Sequence, residues 1–436
     1  MAEPVWFHVD VNSAFLSWTA AYRTLVEGRR PDLRDIPSVI ANDRNLRTSI
    51  VLAKSTPAKK FGVKTGEPVG MARDKCPNLV VAEPDYALYV SCSRRLMALL
   101  RSVSPVVEQY SIDEAWVDMT GTAGLYGPPV LAARQLKDRI FRELGFTVNI
   151  GVSCNKLLAK MAGELEKPNK VITLFPHELA EKLWPLPVGE LFMVGRATVP
   201  KLTAMGIGTI GDLAKTDPAV LVKRLGKQGA VIWQFANGKD AGAITNTSAP
   251  NKGYGNAVTT PRDVTDFAYA DQVLLSLCET VGTRLRRDEQ AGTCMTVHVR
   301  SSSFENWSHQ KRLSTATNVT LELYAAAREL LRMTWDGKTP LRQLGVQVTQ
   351  LMQASSRQTS LFDAQDYEKL SKLDKAVDAL REKYGEQALF RAAFLSGDTP
   401  NMAGGLSKHR RTGITKPLDE PEAFTKKQLE AGKIKL

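Results

Sequence analysis

The 436-residue chain carries 58 lysines and arginines against 46 aspartates and glutamates, a net charge of +12, and that length accommodates about three domains. The basic excess points to a polyanionic partner, nucleic acid or a membrane surface; no apolar run approaches the ~18 residues of a membrane span, and the start of the chain has no signal-peptide pattern. Five cysteines (Cys76, Cys92, Cys154, Cys278, Cys294) show neither CxxC nor Cys/His spacing, which excludes a zinc site and a disulfide framework and fits a cytoplasmic protein with reduced thiols.

The first element is an apolar strand, Val5 to Asn12, that ends on Asp10. Ser13 to Tyr22 follows as a helix bearing Phe15, Trp18 and Tyr22. Trp18 and Tyr22 read as core. Phe15 lies one turn past Asp10, where its bulk can floor a nucleotide sugar pocket and exclude a 2′-hydroxyl. Residues 38–52 read as paired strands turning at Asn42-Asp43. Lys54 to Gly66 is a hydroxyl- and lysine-rich helix start followed by two glycines. Amide N–H groups at a helix N-terminus, with ammonium groups nearby, make an anion site; a solvated basic helix is the plainer reading of that segment alone.

An amphipathic helix over 88–101 precedes the most informative stretch, Val106 to Met119. Alternating apolar and polar residues there predict a strand pair with one buried face. Two acids, Asp113 and Glu114, sit in its middle. An acid near a core costs free energy unless something compensates it, and Mg²⁺ prefers carboxylate oxygens. Strict alternation sends adjacent side chains to opposite faces, so both acids serve one metal only at a hairpin turn or a bulge. Asp10, at the end of another strand, supplies a third carboxylate. Two strands that each end on a carboxylate can hold two metals roughly 3.5–4 Å apart, the arrangement for in-line phosphoryl transfer.

Gly121 to Gly127 reads as a turn, Val130 to Leu144 as a second amphipathic helix and Phe146 to Ser153 as a strand. A helix from Asn155 follows and ends by Lys167-Pro168-Asn169. Up to about residue 170 the alternation predicts one layered α/β or α+β domain. From Pro185 to Asp240 the chain turns helical and Gly-punctuated. Gly195-Arg196 and Gly206 to Gly208 flank a short helix, the pattern of a helix-hairpin-helix whose glycine turns let backbone N–H groups reach a DNA phosphate. Asn237 to Asn256, rich in Gly, Asn, Lys and Thr, reads as a linker.

Residues 257–352 predict the order βαββαβ, with helices Tyr269–Arg287 and Leu321–Met333. Arg300, Lys311 and Arg312 on its strands are candidate phosphate contacts. A polar run then leads into Gln358-Thr359-Ser360-Leu361-Phe362. Two apolar side chains at the end of a polar linker invite a partner's pocket. An amphipathic helix, Leu370 to Tyr384, and a basic tail close the chain.

Together these residues resemble a Y-family, lesion-bypass DNA polymerase of the DinB/UmuC type, over about residues 4–395. The most specific pieces are Ser111 to Ala115, Phe61 to Gly66, Gly151-Val152-Ser153 with Asn155-Lys156 and Ala159-Lys160, and Lys167-Pro168-Asn169, all in the family's order. The resemblance implies an α+β multidomain right hand. Its palm spans 1–22 and 81–170, with small fingers at 23–80 and a helix-hairpin-helix thumb at 171–240. A linker covers 241–256 and a βαββαβ little finger 257–352; residues 353–436 supply a clamp-binding peptide, a helix and a basic tail.

The resemblance makes Asp10, Asp113 and Glu114 the catalytic metal ligands for two Mg²⁺ ions, helped by the Val11 carbonyl. It places the nucleotide on Ser13, Ala14, Phe15, Thr56, Lys59 and Lys167, with Phe15 at the sugar-selecting position. It gives DNA to Gly195, Arg196, Gly206, Gly208, Arg300, Lys311 and Arg312, and a sliding clamp to Gln358, Leu361 and Phe362. Many relatives carry Tyr and Arg where this chain has Thr56 and Lys59, and a glycine where it has Met193; these departures resemble a Gram-positive bacterial subgroup. The expected activity is template-directed extension of a primer by deoxynucleoside triphosphates, by a monomer of low fidelity, with no segment for proofreading. The alternatives are a catalytically inactive DNA- or clamp-binding accessory protein of the damage response, and a transferase that inserts one base regardless of template.

Overall fold

The computed structural model describes residues 3–42, 49–240, 242–245, 250–356, 367–395 and 399–402. They fall into two compact units, the second beginning after the stretch around residue 248.

The first unit opens with β1 (Trp6–Val11) and α1 (Ala14–Leu25). A small finger-like layer follows: β2 (Ser38–Ile40), β3 (Ala53–Lys54), α2 (Thr56–Lys60), α3 (Val69–Lys75) and β4 (Val80–Ala82). The strand that pairs with β2 is therefore only two residues long and lies beyond the expected 38–52 pair, while β4 joins β2 in parallel. This layer has its own core, which includes Val39, Val51, Ala58, Val63 and Val69.

Next come α4 (Tyr86–Arg101), β5 (Val107–Gln109), β6 (Glu114–Asp118), α5 (Ala123–Tyr126), α6 (Pro129–Leu144), β7 (Val148–Ser153), α7 (Lys156–Leu165) and β8 (Val171–Thr173). Five strands form one sheet in the order β5-β6-β1-β7-β8. Strand alternation splits its residues between two faces. Phe7, Val9, Ala115, Val117, Val148 and Ile150 enter a core with Leu88, Leu96, Leu136 and Ile140 from α4 and α6. The intervening residues, among them His8, Asp10, Glu114, Trp116, Asn149 and Gly151, belong to the face on which α7 lies. Gly151 is what admits the helix: a Cβ there would sit 1.9 Å from the Ala159 carbonyl oxygen.

The palm–thumb boundary expected at residue 171 moves, because β8 pairs in parallel with β7 and completes the palm sheet. The thumb is α8 (Val199–Thr203), α9 (Ile210–Lys215), α10 (Pro218–Leu225) and α11 (Lys227–Ala236), preceded by short 3₁₀ and π turns. Leu157, Leu158 and Met161 of α7 belong to its core, so palm and thumb share one helix. The end of the thumb also caps α7: Asp240 accepts from the Leu157 N–H at 3.2 Å, and Asn155 both caps at 2.8 Å and donates to Gly238 O at 2.9 Å. The expected linker 241–256 shrinks at both ends. Ile244 is buried with Trp116 and Ala159, and the Thr245 N–H donates to Glu108 at 2.8 Å. At the far end, residues 253–256 already belong to a strand.

That strand is β9 (Gly253–Val264), which starts the second unit. It is followed by α12 (Phe267–Arg287), β10 (Gln290–Ser301), β11 (Asn306–Thr317), α13 (Thr320–Thr334) and β12 (Leu341–Gln353). The expected βαββαβ order is present, with antiparallel strands in the order β11-β10-β12-β9. Met295, Val297, Val299, Leu344, Val346 and Val348 pack beneath α12 and α13. A final helix, α14 (Tyr367–Tyr384), docks on α12. The expected helix is present, and the side it buries carries charge. Arg286 of α12, 5% exposed, pairs with Asp374 at 3.0 Å and Asp378 at 2.6 Å. Glu279, 3% exposed, pairs with Arg381 at 3.2 Å and Arg391 at 2.7 Å. Asp374 also accepts the Thr320 N–H at 2.7 Å and so caps α13. Leu373, Leu380 and Tyr384 are exposed. The reason lies in α12, whose buried Glu279 and Arg286 require opposite charges.

Candidate active site

The acids meet because the chain reverses between β5 and β6. The N–H groups of Tyr110 and Ser111 both donate to Glu114 O, at 3.0 and 3.1 Å. Asp113 therefore sits in the hairpin turn and Glu114 opens β6, which is the geometry two adjacent acids need to face one site. Asp10 is the register partner of Glu114. The Val11 N–H donates to Asp113 O at 3.1 Å and ties the turn to β1. Three carboxylates thus converge at the end of two paired strands.

Their environments differ. Asp113 accepts from the Ser111 hydroxyl. Burial, with the charges of Asp10 and Glu114, nevertheless raises its pKa above the ordinary carboxylate value. For Glu114 burial also opposes the charge, but hydrogen bonding to His8 and Lys160 prevails and holds its pKa at about 2. His8 is fully buried on β1, with Nε2 2.9 Å from Glu114 Oε2, and burial keeps its own pKa low. Lys160 reaches the same carboxylate oxygen from α7, and its ammonium lies over the Tyr110 ring at 5.1 Å and the Phe192 ring at 5.4 Å. Lys167 bonds Asp10 at 2.6 Å and Glu164 at 2.8 Å. Burial works against its charge, yet Asp10 and then Glu164 raise its pKa.

The loop that carries Lys167 is held by Asn149, the register partner of Asp10 on β7. The buried Asn149 amide donates to Gly163 O at 2.9 Å and Glu166 O at 2.6 Å and accepts from the Lys170 N–H at 3.2 Å. Every strong hydrogen-bonding direction of that amide nitrogen is used.

Among the described residues no three His, Cys, Asp or Glu side chains are gathered tightly enough to hold a metal as they stand. Lys167 pairs with Asp10 and Lys160 with Glu114. The donor set still suits a hard divalent cation. It is all oxygen, and the mutual repulsion that raises Asp113 is what a shared cation removes.

The nucleotide candidates Ser13, Ala14 and Phe15 follow directly from β1. Ser13 caps α1 in a left-handed conformation with φ 48°, Ala14 is buried, and the half-buried Phe15 ring stacks on Tyr89. Thr56 and Lys59 lie on α2 of the finger layer, both exposed. Ser55 caps that helix, accepting from the Ala58 N–H at 3.1 Å.

In the thumb, the Gly206 N–H donates to Thr203 O at 2.9 Å and the Gly208 N–H to Asp212 at 3.2 Å. These two expected phosphate donors are spent inside the thumb, which leaves the turn around Gly195 and Arg196. Met193 begins that turn at φ 71°, a glycine-like conformation, with its side chain half exposed. Left-handed backbone costs a non-glycine residue about 1–2 kcal/mol, close to the chain entropy a glycine would lose on folding. Met193→Gly is therefore expected to melt within a few degrees of the parent, and Met193→Val, β-branched at positive φ, distinctly lower in a thermal scan.

In the second unit Arg300 and Arg312 lie on the sheet face away from the helices, and Arg300 donates to Asn306 at 2.8 Å. Lys311 does not share that face. It registers with the buried Met295 and pairs with Glu329 of α13 at 2.5 Å. Neighbours in a strand point oppositely, so of the three only Arg300 and Arg312 share the face away from the helices. Gln358, Leu361 and Phe362 lie outside the described residues.

Three residues escaped the sequence reading, His8, Asn149 and Tyr89, and Lys160 entered it only as part of a motif, without a role. His8 was within reach of it, because two positions before Asp10 on a strand is the same face.

With this geometry in hand, comparisons are informative. The sequence model of the impB/mucB/samB family matches residues 9–164 and that of its C-terminal domain residues 251–361. A thumb-domain model described for DNA polymerase-iota matches residues 190–240. The chain is 45% identical over 392 residues to a DNA polymerase IV of Clostridium acetobutylicum, covering 90% of this chain and 98% of that one. It is 36% identical to a DNA polymerase IV 2 of Bacillus subtilis, covering 91% and 96%. In fold it resembles a Y-family DNA polymerase chimera with a TM-score of 0.67 at 24% identity, over 80% of this chain and 99% of that one.

Proposed function

The chain belongs to the Y family of DNA polymerases, and from that premise we propose that it extends a DNA primer with deoxynucleotides in template order, at low fidelity and past damaged bases. The observation that carries the reading is the pairing of Asp10 with Glu114 across β1 and β6, with Asp113 in the adjoining turn.

A divalent ion is required by chemistry of this kind, and we assign two Mg²⁺ to Asp10, Asp113, Glu114 and the Val11 carbonyl. Bound there, such ions acidify the primer hydroxyl and offset the charge of the leaving pyrophosphate. The protein's own groups prepare the site. His8 and Lys160 keep Glu114 anionic throughout the neutral range. Lys167 pairs with Asp10 at 2.6 Å, and its ammonium would be available to the triphosphate once a metal held that carboxylate. Lys59 and Thr56 add charge and a hydroxyl from the fingers, though Lys59 gives a point charge rather than a bidentate fork. Phe15 faces the sugar. The finger layer is small and, among the described residues, has no long helix to close over the nascent pair, which supports tolerance of distorted templates. Gly195 and Arg196 in the thumb, and Arg300 and Arg312 in the second unit, offer contacts to the DNA backbone. We assign Gln358, Leu361 and Phe362 to a sliding clamp, and the enzyme acts as a monomer in the cytoplasm.

The test is single-nucleotide insertion with Mg²⁺, each of the four templates against each of the four nucleotides, and an abasic template besides. Template-directed insertion that continues past the abasic site is expected. One base inserted whatever the template would replace this reading with the restricted transferase, and no insertion, even with the clamp added, with the accessory protein.

A further inference from the structure

Phe15 is backed by a fully buried residue. Its ring lies almost parallel to that of Tyr89 on α4, 9° apart with centroids at 4.4 Å. Tyr86 closes one side edge-on, at 6.3 Å and 82°. Tyr89 itself is fully buried, and it cannot slide. Its hydroxyl lies 3.1 Å from Thr19 Oγ1. Thr19 already donates its one hydroxyl proton to the Phe15 carbonyl at 2.8 Å, so Tyr89 is the donor of the pair. Ring and hydroxyl together lock Tyr89 to the helix turn that carries Phe15. Burial raises the phenol pKa to about 12, so the donor keeps its proton across the working range.

We propose that Tyr89 is a specificity-determining residue: by backing the Phe15 ring it fixes the wall against which a ribose 2′-hydroxyl collides. An apolar wall by itself rejects one added hydroxyl only weakly, so its power to exclude rests on a close-packed backing that does not yield. A ring free to tilt makes room for one heavy atom; a ring stacked on a buried, tethered partner does not. This rests on the reading of Phe15 as the sugar-facing residue. Tyr89 is fully buried, so it acts through Phe15 as a positioning residue.

The experiment is single-nucleotide insertion kinetics by the full-length protein on primer–template DNA, with matched deoxy- and ribonucleoside triphosphates. The variants are Phe15→Ala, Tyr89→Leu and the double variant. Tyr89→Met, which fills the core without a flat ring, serves if Tyr89→Leu does not fold. Phe15→Ala is expected to raise the ribo-to-deoxy ratio of kcat/KM strongly. Tyr89→Leu is expected to raise it about tenfold, the order one aromatic pair contributes, mostly through a lower KM for the ribonucleotide, with deoxynucleotide kcat little changed. The double variant should match Phe15→Ala alone. A relaxed ratio in Phe15→Ala with an unchanged ratio in Tyr89→Leu and Tyr89→Met overturns the role of Tyr89 and leaves the role of Phe15 standing. An unchanged ratio in Phe15→Ala removes both. Fully multiplicative effects in the double variant also overturn the proposal, because Tyr89 then acts by another route.

Discussion

Asp113→Ala is expected to lower nucleotide incorporation by at least about 10³-fold, the upper range for removing one group that stabilises transition-state charge, while leaving the empty protein as stable as before or more so. The second half follows from the sign of its titration. An acid whose pKa is raised on folding binds protons more readily in the folded state, so its contribution to stability is lost as pH rises through the folded pKa. Asp113 is such an acid, raised by burial and by Asp10 and Glu114. At neutral pH its charge is therefore a cost, and alanine removes it. Primer extension and thermal melting together check the prediction. Mg²⁺ should raise the melting temperature of the parent and not of the variant, since only the parent binds it well. Wild-type extension by the variant, or a large fall in its melting temperature, would sink this account of the site.

The second large effect is expected far from the chemistry. Arg286→Leu removes a guanidinium that donates to Asp378 at 2.6 Å, to Asp374 at 3.0 Å and to Asn318 O at 2.7 Å. Asp374, 7% exposed, is then left with only the longer pair to Arg391 at 3.7 Å. Breaking one side of a buried pair costs about 3–5 kcal/mol, roughly 10 °C for a unit of this size. Calorimetry should show the transition of the second unit falling while that of the first stays in place. Hydrogen exchange should show α14 losing protection before the sheet does. A shift of only a degree or two would mean that water screens these pairs, and that α14 is held by something else.

How far the sequence alone reached depends on the kind of information each feature needs. Asp10, Asp113 and Glu114 were legible because acids in apolar strands are anomalous, and because two adjacent acids can share a site only at a turn. The hairpin between β5 and β6 is that turn. The βαββαβ unit was legible from its long, regular periods. The two-residue β3 was not, because a strand so short has no period to detect. Arg300, Lys311 and Arg312 were grouped by charge alone; the pleat, which separates Lys311 from Arg312, was not used. Lys160, Asn149 and Tyr89 do their work through contacts between elements distant in sequence. Tyr89 in particular reads as one more core residue of a helix until its ring is seen against Phe15. For α14 the helix was legible but the charges it buries were not, because which side a helix buries depends on what its partner presents, and α12 presents Glu279 and Arg286.

The ion pairs between α12 and α14 also bear on how the protein is made. A ribosome delivers α12 well before Asp374, Asp378, Arg381 and Arg391. Every strand of the second sheet has been synthesised by residue 353, yet the first amide of α13 and both buried charges of α12 still lack their partners then. Domains fold as units during synthesis, at about 5–20 residues per second, so this one waits a few seconds more for its closing segment. A premature stop just after β12 would spare the whole sheet and both of its helices, yet release a polypeptide with two charges designed for burial and nothing to cover them. Quality control in the cell would meet such a product as an incomplete fold, although by element count it looks finished.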